Sequence, residues 1–294
     1  MYDIVKTLRA DSVVHALQLL EENPGAILTA GGTDVIISLK HRKLKRATLI
    51  SILDLEELKG VRMTDGGDLL IGAGTCFAAL EENPVLLSCA PMLASACRQV
   101  GSPQIRAVAT IGGNICNGAV SADSVPSLLA LDAVLELFGP NGPEQTPLLG
   151  FHTGPGKTSL GPNRVLTAIR IPHAAYAGCG GCYLKFGQRR AMEISTLGCA
   201  VNVRMNAKGE GVEKIAIAYG VAGPTPIRCT GLEARLQSMV PGEMFEKTFR
   251  KYVLEELYPR DSWRASKELR VQLIKELGCR ATRQAIEQAG GKAL

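Results

Sequence analysis

The segment at residues 28–35, LTAGGTDV, constrains the fold of this chain more than any other. Before it, residues 11–22 repeat apolar side chains with the spacing of an amphipathic helix, and residues 26–29 form a short apolar run typical of a buried strand. The run ends in two glycines, a new helical pattern follows, and another strand is predicted at 48–52. This succession predicts a small βαβ unit with parallel strands.

A strand-to-helix junction of this kind is suited to holding a phosphate. Paired glycines leave backbone N–H groups unshielded and permit positive φ, and the start of a helix adds free N–H groups with partial positive charge. Thr33 supplies a hydroxyl donor, and Asp34 can cap the helix. The candidate residues are Leu28, Thr29, Ala30, Gly31, Gly32, Thr33, Asp34 and Val35. The alternative is a tight turn with a capping residue.

A second pair of glycines follows about eighty residues later, within Thr110, Ile111, Gly112, Gly113 and Asn114. We expect a strand edge that ends in these glycines. Asn114 can both donate and accept hydrogen bonds, and Asp123 offers an acceptor for a ribose hydroxyl or a ring N–H. A turn followed by a helix cap at Ser121 or Asp123 is the alternative. If the two glycine pairs converge, their bare amides can hold one diphosphate from both sides.

The pattern along the chain predicts an α+β fold with three domains, at residues 1–58, 59–175 and 176–294. The first two are lobes of one binding domain, a small βαβ lobe and a larger mixed α/β lobe. The third is a three-stranded antiparallel sheet with helices. Further predicted strands lie at 61–63, 69–71, 134–138, 164–171, 183–187, 196–205 and 212–219. Predicted helices lie at 75–82, 91–100, about 122–132 and about 262–289, and residues 139–163 are predicted as a loop rich in glycine and proline.

Composition and charge exclude several classes of protein. The chain has no run of about 18 apolar residues and does not begin like an export signal, so we expect no membrane span and a cytoplasmic location. A net charge of +5 and 4% aromatic residues do not favour nucleic-acid binding. Nine cysteines among apolar neighbours favour reduced thiols. The basic run at residues 40–46 is a solvated helix end or loop, or it docks a partner or a phosphate.

Two other motifs do not support a site. Residues 154–158, GPGKT, resemble the end of a nucleotide triphosphate loop, but Phe151 stands where that loop needs glycine. Cys179 and Cys182 have metal-ligand spacing without a second pair, and the four histidines are scattered. We therefore predict no metal site in this chain.

Three stretches together resemble the FAD-binding subunits of molybdenum hydroxylases, a group that includes xanthine dehydrogenases, carbon monoxide dehydrogenases and aldehyde oxidases. They are LTAGGTDV, PQIRAVATIGGNICNGAVSAD and WRASKELRVQLI, and FHTGPGKTSL and YLKFGQRRAMEIST fit the same pattern. The similarity extends over about residues 3–290, and its details favour the subunit of a bacterial xanthine dehydrogenase.

The resemblance implies that FAD is the cofactor and that residues 28–35 and 110–114 hold its pyrophosphate, with Asp123 further along. It also implies that Leu166 lies against the flavin and that Lys185 lies close to it, where a cation would favour the reduced anionic ring. The alternative for Lys185 is a surface lysine on a strand. Val100 stands where relatives carry an aromatic residue near the ring, and residues 189–193 are expected to border the acceptor site.

The implied function is electron transfer. An iron–sulfur subunit would deliver electrons to the FAD, which would pass them to NAD, while a subunit with the molybdenum cofactor would hydroxylate the substrate. The alternative is a self-contained FAD-dependent reductase of the enolpyruvyl reductase type, which would need acid/base residues over the flavin. A scaffold without flavin is a third possibility, and the intact glycine pairs and Lys185 argue against it.

Overall fold

The structure, a computed structural model, describes residues 2–189 and 191–292. Its first sheet has the strand order β1-β3-β2, and both strand pairs are parallel. The elements are β1 (Ile4–Arg9), α1 (Val13–Glu22), β2 (Ile27–Thr29), α2 (Thr33–Lys40) and β3 (Ala47–Ser51). The predicted βαβ unit is therefore confirmed.

The edge strand β1 was not predicted from the sequence. Five of its six residues are exposed and the sixth is half-buried, so no alternation of polar and apolar residues marks it. It is held by backbone pairing with β3 rather than by burial of a face. An exposed strand of this kind is identified from its backbone pairing with a neighbouring strand and not from its own sequence.

The second sheet is antiparallel, with the order β4-β5-β10-β6-β7. Its helices and strands are β4 (Val61–Met63), β5 (Leu69–Gly72), α3 (Phe77–Glu81), α4 (Pro84–Cys89), α5 (Pro91–Arg98), α6 (Pro103–Val108), α7 (Ile111–Cys116), α8 (Ser124–Ala130), β6 (Val134–Gly139), β7 (Gly142–Pro147), β8 (His152–Gly154), β9 (Lys157–Thr158), β10 (Val165–Ile171) and α9 (His173–Tyr176). A short 3₁₀ helix, Glu56–Leu58, precedes them.

The prediction of a loop at residues 139–163 was wrong. Pro140 and Asn141 form a tight turn between β6 and β7, and β8 and β9 pair as a second, small hairpin. None of the residues of β7 is fully buried, and it contains proline at positions 143 and 147. This composition hides the strand, because proline and exposed polar residues are both uncommon within sheets.

The third part of the chain has a four-stranded antiparallel sheet with the order β11-β12-β13-β14. Its elements are β11 (Gly180–Phe186), β12 (Leu197–Met205), β13 (Val212–Gly220), β14 (Ile227–Arg228), α10 (Thr230–Leu236), α11 (Glu243–Tyr252) and α12 (Lys267–Gln288). The three predicted strands are β11 to β13, and the two-residue β14 is additional. The last helix begins five residues later than predicted because Ser266 caps it, accepting a hydrogen bond from the Leu269 amide.

Helix α8 connects the second and third sheets. All seven of its residues are buried, and it packs against β12 and β13. Alanines on those two strands leave room for it and belong to the same hydrophobic core as the second sheet: Ala200, Ala216 and Ala218. The predicted α+β fold class is confirmed, whereas the domain boundaries at residues 58 and 175 stay a prediction.

Two further features concern membrane insertion and the cysteines. No helix in the described part of the chain is both long enough and apolar enough to cross a membrane. All nine cysteines are free thiols, and five of them are buried. They therefore pack as small apolar side chains.

Candidate functional site

The first glycine segment forms the connection between β2 and α2. Gly32 has a left-handed backbone, with φ of +69°, and it is the N-cap of α2 without any side-chain capping bond. The first hydrogen bond of the helix runs from the Ile36 amide to the Gly32 carbonyl, 2.8 Å. Within residues 2–189 and 191–292, the amides of Thr33, Asp34 and Val35 have no acceptor. This end of α2 thus presents free N–H groups, as a phosphate requires.

The expectation that Asp34 caps α2 was wrong. Asp34 is the second residue of the helix, two residues beyond the N-cap Gly32, and no side-chain capping bond is made there. Asp34 is an exposed residue, but neighbouring protein partly desolvates its carboxyl group and raises its pKa. A carboxyl with a raised pKa opposes a nearby phosphate less than a fully ionised one does.

The second glycine segment differs from its prediction. Thr110 forms an isolated bridge with Cys76, and the glycines lie inside the short helix α7 rather than at the end of a strand. Its amides are occupied: those of Ile111 and Gly112 donate to the carbonyls of Thr75 and Ala73, at 3.1 and 2.8 Å. The expectation of bare amides on this side of a diphosphate was therefore wrong.

The polar groups that α7 offers are side chains. The Thr110 hydroxyl caps the helix by accepting from the Gly113 amide at 3.1 Å. The Asn114 carbonyl oxygen accepts from the Ser124 hydroxyl at 2.7 Å, which leaves the NH₂ group of Asn114 without an acceptor in the described part of the chain. Asn114 lines the cleft, so that NH₂ group is available to a ligand.

The two glycine segments converge. A Cβ atom on Gly31 would lie 1.8 Å from the carbonyl oxygen of Val108, two residues before Thr110. Only glycine permits this approach of one backbone to the other. In the second segment Gly112 also permits a close backbone contact, because a Cβ there would lie 2.7 Å from the carbonyl oxygen of Ala73.

Between the segments runs a cleft made of two adjoining cavities of about 350 and 320 Å³. Both lie in the size range of small-molecule sites. They share Leu28, Ala30, Thr110, Gly113 and Cys116 in their walls. The first cavity is mainly apolar and includes Leu20, Leu58, Leu160 and Leu166; the second includes all of residues 28–35 with Phe77, Val100 and Asn114.

All the predicted site residues line this cleft except Ile111, Asp123 and Lys185. Ile111 is fully buried beneath it. Leu166 and Val100 belong to different cavities, on opposite sides of the shared glycine segment. The shape matches a dinucleotide, which has a diphosphate between two ring systems. The free amides at α2 fit the diphosphate, and Gly31 lets the backbone around them approach the Val108 carbonyl closely.

Asp123 and Lys185 form a buried ion pair behind the second cavity. Their side chains are 7% and 8% exposed, with 2.8 Å between Nζ and Oδ2. The ammonium also donates to the carbonyls of Gln99 and Glu193, each at 2.9 Å. Lys185 is therefore not a surface lysine. Through Gln99 it touches the residue next to Val100, in the wall of the cleft.

The other carboxylate oxygen of Asp123 accepts from two hydroxyl groups. Tyr183 donates at 2.8 Å and Ser195 at 2.5 Å. Burial, together with the charge of Asp123, raises the pKa of Tyr183 and keeps it a neutral donor. Sequence reasoning missed Tyr183, although its position two residues before Lys185 on one strand puts both side chains on the same face.

The loop after β11 borders a third cavity of about 600 Å³. Its walls include Arg98, Arg106, Lys185, Arg189 and Glu193. Arg189 forms an ion pair with Glu193 at 3.0 Å. Arg190, which belonged to the same prediction, lies outside the described residues. The role of residues 189–193 at an acceptor site stays a prediction.

Cys116 is also a residue of the cleft. It lies where the two cavities meet, and burial raises the pKa of its thiol to about 12. The thiol is therefore protonated at neutral pH and contributes a small apolar surface. Among the described residues, no three His, Cys, Asp or Glu side chains group in a way that could hold a metal.

The fold and the cleft define a dinucleotide-binding protein with a separate antiparallel C-terminal sheet. Residues 3–174 match the FAD binding domain in molybdopterin dehydrogenase, and residues 182–285 match the CO dehydrogenase flavoprotein C-terminal domain. The chain is 41% identical, over 99% of both chains, to the putative xanthine dehydrogenase FAD-binding subunit of Escherichia coli K12. It is 36% identical to the carbon monoxide dehydrogenase medium chain of Hydrogenophaga pseudoflava, over 76% of this chain and 77% of that one.

A solved structure of carbon monoxide dehydrogenase from Hydrogenophaga pseudoflava superimposes with a TM-score of 0.92 and 29% identity, covering 98% of this chain and 99% of that one. The chain belongs to the family of FAD-binding subunits of molybdenum hydroxylases. It is an oxidoreductase subunit, and FAD is its cofactor.

Proposed function

We propose that this chain is the electron-transfer subunit of a xanthine dehydrogenase-like molybdenum hydroxylase. In this proposal an iron–sulfur subunit supplies the electrons, NAD accepts them, and the substrate is hydroxylated in a subunit that holds the molybdenum cofactor. The support is the full-length similarity to a putative xanthine dehydrogenase FAD-binding subunit. The structural observation that carries the proposal is the convergence of Gly31 on Val108 beside the free amides of α2.

The chain's own residues would hold FAD as follows. The amides of Thr33, Asp34 and Val35 donate to the diphosphate, and the Asn114 NH₂ group donates from the opposite wall. The apolar cavity with Leu166 takes the adenosine end, and the cavity with Val100 takes the flavin end, nearest the Lys185 ion pair. Leu166 and Val100 line separate cavities. The expectation that Leu166 lies against the flavin stays a prediction, in which the flavin occupies the other cavity, the one with Leu166.

Bound FAD supplies the ability to accept electrons one at a time and to give them up as a pair. The protein's part is to bind, to orient and to exclude water, so no catalytic nucleophile or general base is needed. Of the described residues that line the two cleft cavities, only Asp34, Cys116 and Arg164 have titratable side chains. This favours an electron carrier over a self-contained reductase, which needs an acid over the flavin.

The test is an anaerobic titration of the purified, flavin-containing chain with NADH. We expect stoichiometric loss of the visible flavin absorbance, because hydride exchange with a nicotinamide runs in both directions. We also expect the isolated chain to oxidise no purine, since that reaction is assigned to another subunit. Absence of bound flavin, failure of NADH to reduce it, or substrate turnover by the isolated chain would each contradict the proposal.

A further inference from the structure

The loop that follows α2 carries an unusual concentration of positive charge. Residues 40–46 contain five cations and no acidic residue, and all five are exposed: Lys40, Arg42, Lys43, Lys45 and Arg46. Within the described residues none of them forms an ion pair. Surface cations elsewhere commonly do, as Lys59 does with Glu56 at 2.8 Å and Arg280 with Glu276 at 2.7 Å.

This loop is held in place by the fold. Leu44 packs against a small core of Leu39, Ala47 and Leu49. The amides of Lys43 and Leu44 both donate to the Ser38 carbonyl, at 2.9 and 3.4 Å. A fixed loop presents its charges in one geometry, so a partner that binds them does not have to order the loop first.

The backbone of the loop is strained at two positions. Arg42 and Arg46 have left-handed φ angles of 55° and 47°, a conformation that costs a residue other than glycine about 1 kcal/mol or more. Backbone strain of this kind is commonly retained at sites of recognition.

The loop also forms part of a concave surface whose lining is mainly polar. This cavity of about 550 Å³ is lined by Lys40, Arg42 and Lys45 together with Leu39, Leu44, Tyr2 and Asp3. On the adjoining turn of α2, Ile36 and Ile37 are 47% and 50% exposed. Exposed apolar side chains beside a charged rim are the usual composition of a protein–protein interface.

We propose that the basic docking face, defined as Ile36, Ile37 and residues 40–46, binds an acidic segment of a partner subunit. The proposal rests on the proposed function, which supplies that partner. Helix α2 begins at the diphosphate site and ends in this loop, and its eight residues span about 12 Å. A subunit bound here is therefore one short helix away from the cofactor cleft.

The five cations call for an acidic occupant, and the exposed Ile36 and Ile37 beside them favour a protein over a nucleic acid. Aromatic residues make up only 4% of the chain, so platforms for stacking bases are scarce. Carboxylates with apolar neighbours match both the five cations and the two isoleucines. Nucleic-acid binding is one outcome that the experiments below would detect.

The first experiment is zero-length cross-linking of the complex purified through a tag on this chain. A carbodiimide joins a lysine amine to a carboxylate only when the two are in contact. We expect peptides in which Lys40, Lys43 or Lys45 is joined to Asp or Glu of a second polypeptide. Exposed lysines of the C-terminal part, Lys208, Lys247 and Lys292, should give none.

The second experiment compares two triple variants with the same change in charge. Lys40→Gln, Lys43→Gln and Lys45→Gln together should weaken association with the purified partner subunit on the order of tenfold and flatten its salt dependence. Lys208→Gln, Lys247→Gln and Lys292→Gln should leave both unchanged. Both variants should keep wild-type flavin content, because neither touches the cleft.

The outcomes separate this inference from the proposed function. A chain that purifies without flavin overturns the proposed function. A chain that carries flavin overturns the docking inference if it purifies without a stoichiometric partner, if its loop lysines cross-link only within the chain, or if both triple variants bind alike. Association that is lost on nuclease treatment also overturns it.

Discussion

At the scale of single residues, Gly31 determines how closely the two walls of the cleft approach. Its Cα packs against the peptide between Val108 and Ala109, with no space for a methyl group. The neighbouring Gly32 contributes differently, since its positive φ turns the chain from β2 into α2. The glycine pair thus meets two separate requirements, close contact and a left-handed turn.

Replacing Gly31 by alanine should abolish FAD binding. The added Cβ would push residues 30–35 away from α6 and move the free amides of α2 off the diphosphate. Flavin content per chain, measured by visible absorbance, should fall by at least about tenfold, equivalent to roughly 1.4 kcal/mol of binding free energy. Gly66→Ala is the matched control, because a Cβ there meets nothing closer than 3.9 Å. Normal flavin content in Gly31→Ala would rule out this account of the cleft.

Lys185 is a second residue whose removal should have a specific effect. Lys185→Met leaves the Asp123 carboxylate buried without its cation, which should cost about 3–5 kcal/mol of unfolding free energy. It also frees the Glu193 carbonyl, so trypsin should cleave after Arg189 faster than in wild type. Adding Asp123→Asn should restore part of the stability, because the two residues act as a pair.

Lys214→Met is the control for that variant. Lys214 pairs with Asp132 at 2.7 Å, but its side chain is 42% exposed, so its loss should cost less than about 1 kcal/mol. Cleavage after Arg189 should not change in this variant. Equal destabilisation by both substitutions would show that the Lys185 pair is an ordinary surface contact.

At the scale of elements, the sequence identified the first glycine segment more accurately than the second. At residues 26–40 the sequence shows a strand pattern, then two glycines, then an apolar helix pattern. The fold has the same elements in the same order. Helix α7 could not be predicted in this way, because its glycines disfavour a helix by about 1 kcal/mol each. It forms because Thr110 caps it and because the Ala73 and Thr75 carbonyls accept its first amides. Those contacts are tertiary, and sequence periodicity does not report them.

The cluster of Asp123, Tyr183, Lys185 and Ser195 also depends on tertiary contacts that sequence periodicity does not report. The resemblance pointed to Asp123 and Lys185 as separate neighbours of the cofactor, yet their direct contact depends on α8 packing against β12, the strand that pairs with β11. No local sequence pattern indicates that Ser195 belongs to this cluster, because it lies in an irregular loop. The residue types indicated charged groups near the cofactor. Only the three-dimensional arrangement showed that Asp123 and Lys185 neutralise each other.

The anchoring of α7 also predicts how stability depends on pH. His152 on β8 contacts the Ile115 carbonyl at 3.0 Å, and burial lowers its pKa below the ordinary value of 6.5. Above pH 6.5 the ring is neutral in both the folded and the unfolded chain. As the pH falls below 6.5, the unfolded chain takes up a proton and the folded chain does not, so the free energy of unfolding decreases.

This decrease should continue until the pH reaches the lowered pKa of the folded state. His152→Gln keeps a donor toward Ile115 but does not titrate, so its melting temperature should fall less steeply with acid. His41→Gln, in an exposed loop, should follow the wild-type curve. Parallel curves for wild type and His152→Gln in thermal melts between neutral and mildly acidic pH would contradict the assignment.

At the scale of the whole molecule, the hydrophobic cores join the parts of the chain. The core around α1 includes Val165 of β10, and the core of the second sheet includes Tyr183 and Ala200 of the third. The cofactor cleft lies between α2 and α7, so its walls come from the first and second sheets. A ligand in this cleft therefore stabilises the contact between the first and second sheets. Because the hydrophobic cores are shared, unfolding of the third sheet should also become less favourable.

FAD should accordingly raise the unfolding temperature of the entire chain rather than of one part. Protein freed of flavin should unfold in a single transition, and free FAD at roughly 100 times its Kd should stabilise it by about 2.7 kcal/mol, a shift of several degrees. Calorimetry with and without FAD measures the shift, and Gly31→Ala should show none. Should only one of two resolved transitions respond to FAD, the parts of the chain fold independently and the cores do not couple them. A response of equal size in Gly31→Ala would mean that FAD binds somewhere other than between α2 and α7.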